Sequence, residues 1–124
     1  LAGVQEIHRT KTAALLGASA ELGALAGGAE GPRVAEARRF GLALGMCFQA
    51  MDDVLDVTGD AGTLGKTPGK DLVAHKGTLV AALGLDGAKA EAAQRASEAR
   101  SHANHLGLGS AGLGLIELLL RRKS

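Results

Sequence analysis

The chain has 124 residues, one domain's worth or less, and its 14 Lys and Arg against 13 Asp and Glu make no case for nucleic acid. Apolar residues reach 46%, enough for a core, but Phe40 and Phe48 are the only aromatics, which argues against a base-stacking surface. No uninterrupted apolar run approaches the about 18 residues of a transmembrane helix, and no charged-then-apolar start marks a signal peptide. The single Cys47 excludes an internal disulfide, and its apolar setting predicts a buried thiol in a reducing, cytoplasmic compartment.

Strand signals are nearly absent, and Ala, Leu, Glu, Arg and Lys favour helix, so the expected class is all-α. A first helix is predicted over 4–26, ending at Gly27-Gly28. On it His8, Lys11 and Thr12 fall at i, i+3 and i+4 as one polar patch, and Ile7, Leu15, Leu22 and Leu25 suit a packed face. Pro32 opens a second helix as a first-turn proline, with a stripe of Phe40, Leu44, Phe48, Met51 and Leu55. Gly41 and Gly45 are costly inside it, and small residues there allow another helix to come close.

A Gly- and Lys-punctuated loop follows over 59–70. Asp71 is the expected N-cap of a third helix to about Leu83, closed by Gly84. Asp86 caps a fourth, Ala-rich helix ending near Gly107, and Ser110 a short last one carrying Leu113, Ile116 and Leu120. Arg121, Arg122 and Lys123 sit at its favourable C-terminal end. The chain starts at Leu1 in what reads as mid-helix with no initiator Met, so residues 1–124 are expected to be the C-terminal part of a single domain.

The most informative stretch is Phe48-Gln49-Ala50-Met51-Asp52-Asp53-Val54-Leu55-Asp56. Asp52 and Asp56 are four apart and share a helical face, roughly 6 Å from each other. Gly59 stops the helix, so the carboxylates fall where its dipole is already negative, an unfavourable place unless a cation answers them. An isolated Asp pair is more often a solvated helix end; the neighbours reverse that weighting. Asp52, Asp53, Asp56 and Asp60 are hard oxygen donors of the kind Mg²⁺ takes, and Lys11, Lys66 and Lys70 are donors to an anion. Together they suggest a metal bridging to a phosphorylated ligand. An EF-hand is disfavoured because its alternating acidic pattern is missing, and a P-loop because Gly62-Thr63-Leu64-Gly65-Lys66-Thr67 has the wrong spacing and no preceding strand.

This stretch, followed by Gly59-Asp60 and Leu64-Gly65-Lys66, resembles the second aspartate-rich motif of the trans-prenyl diphosphate synthases. His8-Arg9-Thr10-Lys11-Thr12 resembles the Lys-Thr motif those enzymes carry one helix earlier. Order, spacing and loop agree over nearly the whole chain, and the short-chain farnesyl and geranylgeranyl diphosphate synthases are the nearest in character. The resemblance implies an isoprenoid-synthase helical bundle and condensation of an allylic diphosphate with isopentenyl diphosphate. It assigns Mg²⁺ to Asp52 and Asp56 with Asp53 supporting, and the allylic diphosphate to Lys11, Thr12, Gln49 and Lys66. Lys11, Thr12, Asp52 and Lys66 are its catalytic set, and Phe48 faces the second substrate or the cation. The released diphosphate takes the final proton, so no protein base is assigned. A homodimer is expected of the longer protein.

The family's first aspartate-rich motif and isopentenyl-binding basic residues belong to an N-terminal half that these residues do not contain. The chain alone is therefore expected to be inactive and poorly soluble. Gly77-Thr78-Leu79-Val80, where relatives often carry Thr-Tyr-Pro, and the glycine-rich 107–114 also depart from the pattern. Product length is not legible. A non-catalytic subunit of a heteromeric synthase is the alternative, disfavoured by the intact triplet and lysines; a terpene cyclase is disfavoured by the Lys-Thr patch and the glycine-lysine loop. His8 orients or caps rather than catalyses. His102 and His105, three apart, bring zinc to mind, but without an accompanying Cys or acidic ligand they read as surface residues.

Overall fold

The computed structural model describes residues 2–58 and 79–121, and every regular element among them is helical. Helix α1 (Ala2–His8) runs through a π-helical turn (Arg9–Ala13) into α2 (Ala14–Ala26); α3 spans Gly31–Thr58, α4 Leu79–Leu106 and α5 Gly109–Arg121. The expected all-α class is found. No helix among the described residues is long and apolar enough to cross a membrane.

The breaks follow local chemistry. Gly28 leaves α2 at φ +84°, a conformation side chains rarely adopt. Pro32 occupies the first turn of α3, where its missing N–H costs no intrahelical bond. Gly84, with φ 78° and ψ 170°, interrupts α4 as the sequence predicts, and the long run after it ends at Leu106. The loop over 59–70 and the predicted N-cap Asp71 lie outside the described residues.

Two expectations for the first helix are corrected. It spans Ala2 to Ala26 without a gap but is not α-helical throughout. The Thr10 hydroxyl donates to the Glu6 carbonyl at 2.9 Å and reaches that of Ile7 at 3.3 Å. A hydroxyl on the i−4 carbonyl competes with the backbone ladder and bends helices, and here i→i+5 bonding replaces the α pattern. Its packed face also differs. Ile7, Leu15, Leu22 and Leu25 are exposed, whereas Ala13 and Gly17 are buried and Ala20 and Ala24 pack on the core. The reason lies in α3. A Cβ on Gly41 would collide with the Leu16 carbonyl oxygen and stand 2.8 Å from Gly17 Cα, and one on Gly45 would stand 2.5 Å from Ala13 Cα. Backbones that close tolerate only small residues between them, so the leucines are turned outward.

The other side of α3 packs on α4. Ala88, Ala92, Ala96, Ala99 and Ala103 recur at helical spacing and are buried, a narrow stripe that seats α4 against Phe40, Leu44, Cys47, Ala50 and Val54. Cys47 is fully buried, as expected of a core thiol. The two helices run antiparallel: the Leu79 N–H donates to Asp53 near one end, and Arg33 donates to the Leu106 carbonyl at the other. Ile116 of α5 closes the Phe40 end of the core.

Candidate functional site

Gln49, Asp52, Asp53 and Asp56 stand at i, i+3, i+4 and i+7 and so share one face of α3 over its last three turns. At the top of this face Gln49 is buried, and its Nε2 donates to Thr12 Oγ1 at 2.6 Å. That bond brings the π-helical turn, with exposed Lys11 and half-buried Thr12, against the acidic face. One turn below Gln49, Asp53 Oδ2 accepts the Leu79 N–H at 2.8 Å, tying α3 to the first described residue of α4. Asp52 is exposed, and Asp56 is buried at 5%. Phe48, half-buried, precedes Asp52 by one turn.

This face offers one kind of ligand. Its donors are carboxylate and amide oxygens, the hard set that suits Mg²⁺ rather than a thiophilic ion. Because one of Asp53's two oxygens holds the backbone of α4, a cation here would rest chiefly on Asp52 and Asp56. Lys66, Lys70 and Asp60 lie outside the described residues, as does the His8 side chain. At the far end of the chain Arg121 pairs with Glu117 of its own helix at 3.5 Å.

The reading of His102 and His105 as histidines without an acidic companion is corrected. Glu36 Oε1 lies 2.6 Å from His102 Nδ1 and 3.3 Å from His105 Nδ1. Hydrogen bonding to His102 holds the Glu36 carboxyl below its ordinary value against the opposing pull of desolvation, with His105 adding to the effect. Glu36 precedes His102 by 66 residues, and no local motif links them. Only the antiparallel pairing of α3 with α4 brings them into view.

The all-helical fold agrees with the isoprenoid-synthase type that the sequence resembles. Residues 2–106 match the polyprenyl synthetase family, and the chain belongs to it. It is 50% identical over 94 residues to a chloroplastic geranylgeranyl pyrophosphate synthase of Capsicum annuum, covering 76% of this chain and 26% of that protein. A heterodimeric geranylgeranyl pyrophosphate synthase large subunit of Arabidopsis thaliana is 47% identical over 94 residues, 76% of this chain and 25% of its own. The farnesyl diphosphate synthase of Escherichia coli is 38% identical over 120 residues, 96% of this chain and 40% of the enzyme. The chain thus spans about a quarter of the plant relatives and two fifths of the bacterial one.

Proposed function

We propose that this chain is the part of a prenyl diphosphate synthase that holds the allylic diphosphate for condensation with isopentenyl diphosphate, giving a farnesyl or geranylgeranyl product. The observation that carries the reading is the Gln49–Thr12 bond at 2.6 Å, which sets the Lys11 turn on the carboxylate face. The names of the relatives support it.

Ionisation of an allylic diphosphate moves charge onto the departing diphosphate, so groups aimed at that charge stabilise the transition state more than the ground state. Lys11 and Thr12, with Lys66, would bind the phosphate oxygens, and Gln49 would hold Thr12 in register. Asp52 and Asp56 would hold Mg²⁺, with Asp53 supporting, and the ion would supply charge neutralisation on the leaving group. Phe48 would face the second substrate or the allylic cation. The full carboxylate set and the Lys-Thr turn favour a catalytic portion over a non-catalytic subunit. The buried Cys47 accords with a reducing compartment, and a cytoplasmic homodimer belongs to the same reading.

The test is to assay the chain with both substrates and Mg²⁺, alone and joined to the complementary portion of the E. coli farnesyl diphosphate synthase. Product from the joined form and none from the chain alone is expected. Robust turnover by the chain alone would overturn the reading, since it would make the family's first aspartate-rich motif dispensable.

A further inference from the structure

Two helix ends meet about 24 Å along α3 from Asp52, counting 1.5 Å per residue from Glu36. There α3 and α4 converge on Glu36, His102 and His105, whose ligand atoms all lie within 4.8 Å of one another. The cluster is framed on both sides. Arg33 Nη2 donates to the Leu106 carbonyl at 2.6 Å, fixing α3 against the end of α4, and Arg39 Nη1 holds Glu36 Oε2 at 3.2 Å. The second oxygen, Oε1, faces both imidazoles. Metal-bound carboxylates are commonly held by such an outside hydrogen bond.

The spacing suits a metal. Bonds of about 2.1 Å at tetrahedral angles separate neighbouring donors by roughly 3.4 Å. The Glu36–His105 separation of 3.3 Å already has that value, and the Glu36–His102 pair at 2.6 Å has to open by less than 1 Å. Glu36 and His102 side chains are only 18% and 25% exposed, so two of the three donors are partly withdrawn from competing water; His105, at 69%, leaves one side open. Two imidazoles with one carboxylate are the donor set of Zn²⁺ and its neighbours in the transition series, and a poor one for Mg²⁺.

We propose that Glu36, His102 and His105 form a binding site for a divalent transition metal, with Zn²⁺ the first choice, that clamps the start of α3 to the end of α4. Three protein ligands leave a fourth position to water. The site is separate from the carboxylate face and from the proposed diphosphate chemistry, so it stands whether or not that chemistry is confirmed.

The joined protein described above, stripped with a chelator, is titrated with Zn²⁺ against a chromophoric competitor, with Co²⁺ absorption reporting the ligand field. One tight equivalent per chain is expected, together with a rise in melting temperature. Both should survive Asp52→Ala and be lost in His102→Ala, the affinity falling by more than the roughly 10–100-fold that removal of a mere supporting group causes. Should His102→Ala fail to fold, His105→Ala serves, since its exposed ring can be removed without disturbing the core. Absence of a tight equivalent would overturn the proposal, leaving a hydrogen-bonded Glu–His cluster only. So would an equivalent that persists in His105→Ala and Glu36→Gln.

Discussion

Gln49 Nε2 donates to Thr12 Oγ1 at 2.6 Å across 37 residues of chain, and the bond is made inside the contact between α3 and the π-helical turn. It joins the one buried amide on the carboxylate face to the Lys-Thr turn. Thr12→Val would keep the shape and leave the Gln49 amide without this acceptor. A loss of about 1–3 kcal/mol is expected, the cost of a buried donor left unsatisfied, with Thr12→Ser recovering most of it. Urea unfolding followed by helical circular dichroism measures both. Equal stability for the valine and serine variants would show that the bond does not set the register.

Gly45 faces Ala13, and here two effects of known size oppose each other. Gly45→Ala improves helix propensity by about 0.5–1 kcal/mol. It also places a Cβ 2.5 Å from Ala13 Cα and 3.0 Å from Ala13 Cβ, forcing the π turn off α3. Overpacking of that kind costs typically 1–3 kcal/mol, so net destabilisation is expected. Gly23 of α2 has nothing within 4 Å of an added Cβ, and Gly23→Ala should be neutral or stabilising. The melting temperature should fall for Gly45→Ala and hold or rise for Gly23→Ala, and an equal fall in both would contradict the close approach.

Asp53 has a structural bond as well as a proposed supporting part in ion binding. Asp53→Asn retains an oxygen for the Leu79 N–H, whereas Asp53→Ala removes it. The alanine variant should lose about 1–3 kcal/mol through the hydrogen bond to a charged acceptor, and the asparagine variant less. Hydrogen exchange at the Leu79 amide reports the difference directly. If both substitutions left that amide equally protected, Asp53 would not be the anchor of α4.

In the loop after the carboxylates, Lys66→Ala should weaken capture of a non-ionising allylic diphosphate analogue more than Lys70→Ala. Lys66 keeps the spacing of the family motif, and Lys70 lies beyond Pro68. Calorimetric titration of the joined enzyme ranks the two, and the reverse order would displace the register assigned to the loop.

How much of this was legible in the sequence depends on the range of the interaction. Gly28, Pro32, Gly84 and the Leu106 end are punctuation written in single residues, and the structure breaks where they stand. The expectation that Gly41 and Gly45 admit a close helix also holds, because a missing Cβ announces itself. What it did not announce was which face of the neighbour came close. Leu15 and Leu22 promised burial by their chemistry, yet Ala13 and Gly17 were the residues that fitted. The π turn was hidden because Thr10 diverting the Glu6 carbonyl leaves no periodic trace. For the candidate site, the common face of Asp52 and Asp56 follows from their spacing alone. The Thr12–Gln49 bond and the Glu36–His102 pair depend on packing across 37 and 66 residues, beyond the reach of any local pattern.

On the proposed reading the carboxylate face of α3 holds the metal–diphosphate of an allylic substrate. Steady-state prenyl transfer by the joined enzyme, with Asp52 intact and with Asp52→Ala, tests it most directly. Turnover should fall on the order of 10² or more, as removal of a transition-state electrostatic group causes, with helical content unchanged. An Asp52→Ala enzyme within about threefold of the parent, far short of that effect, would contradict it.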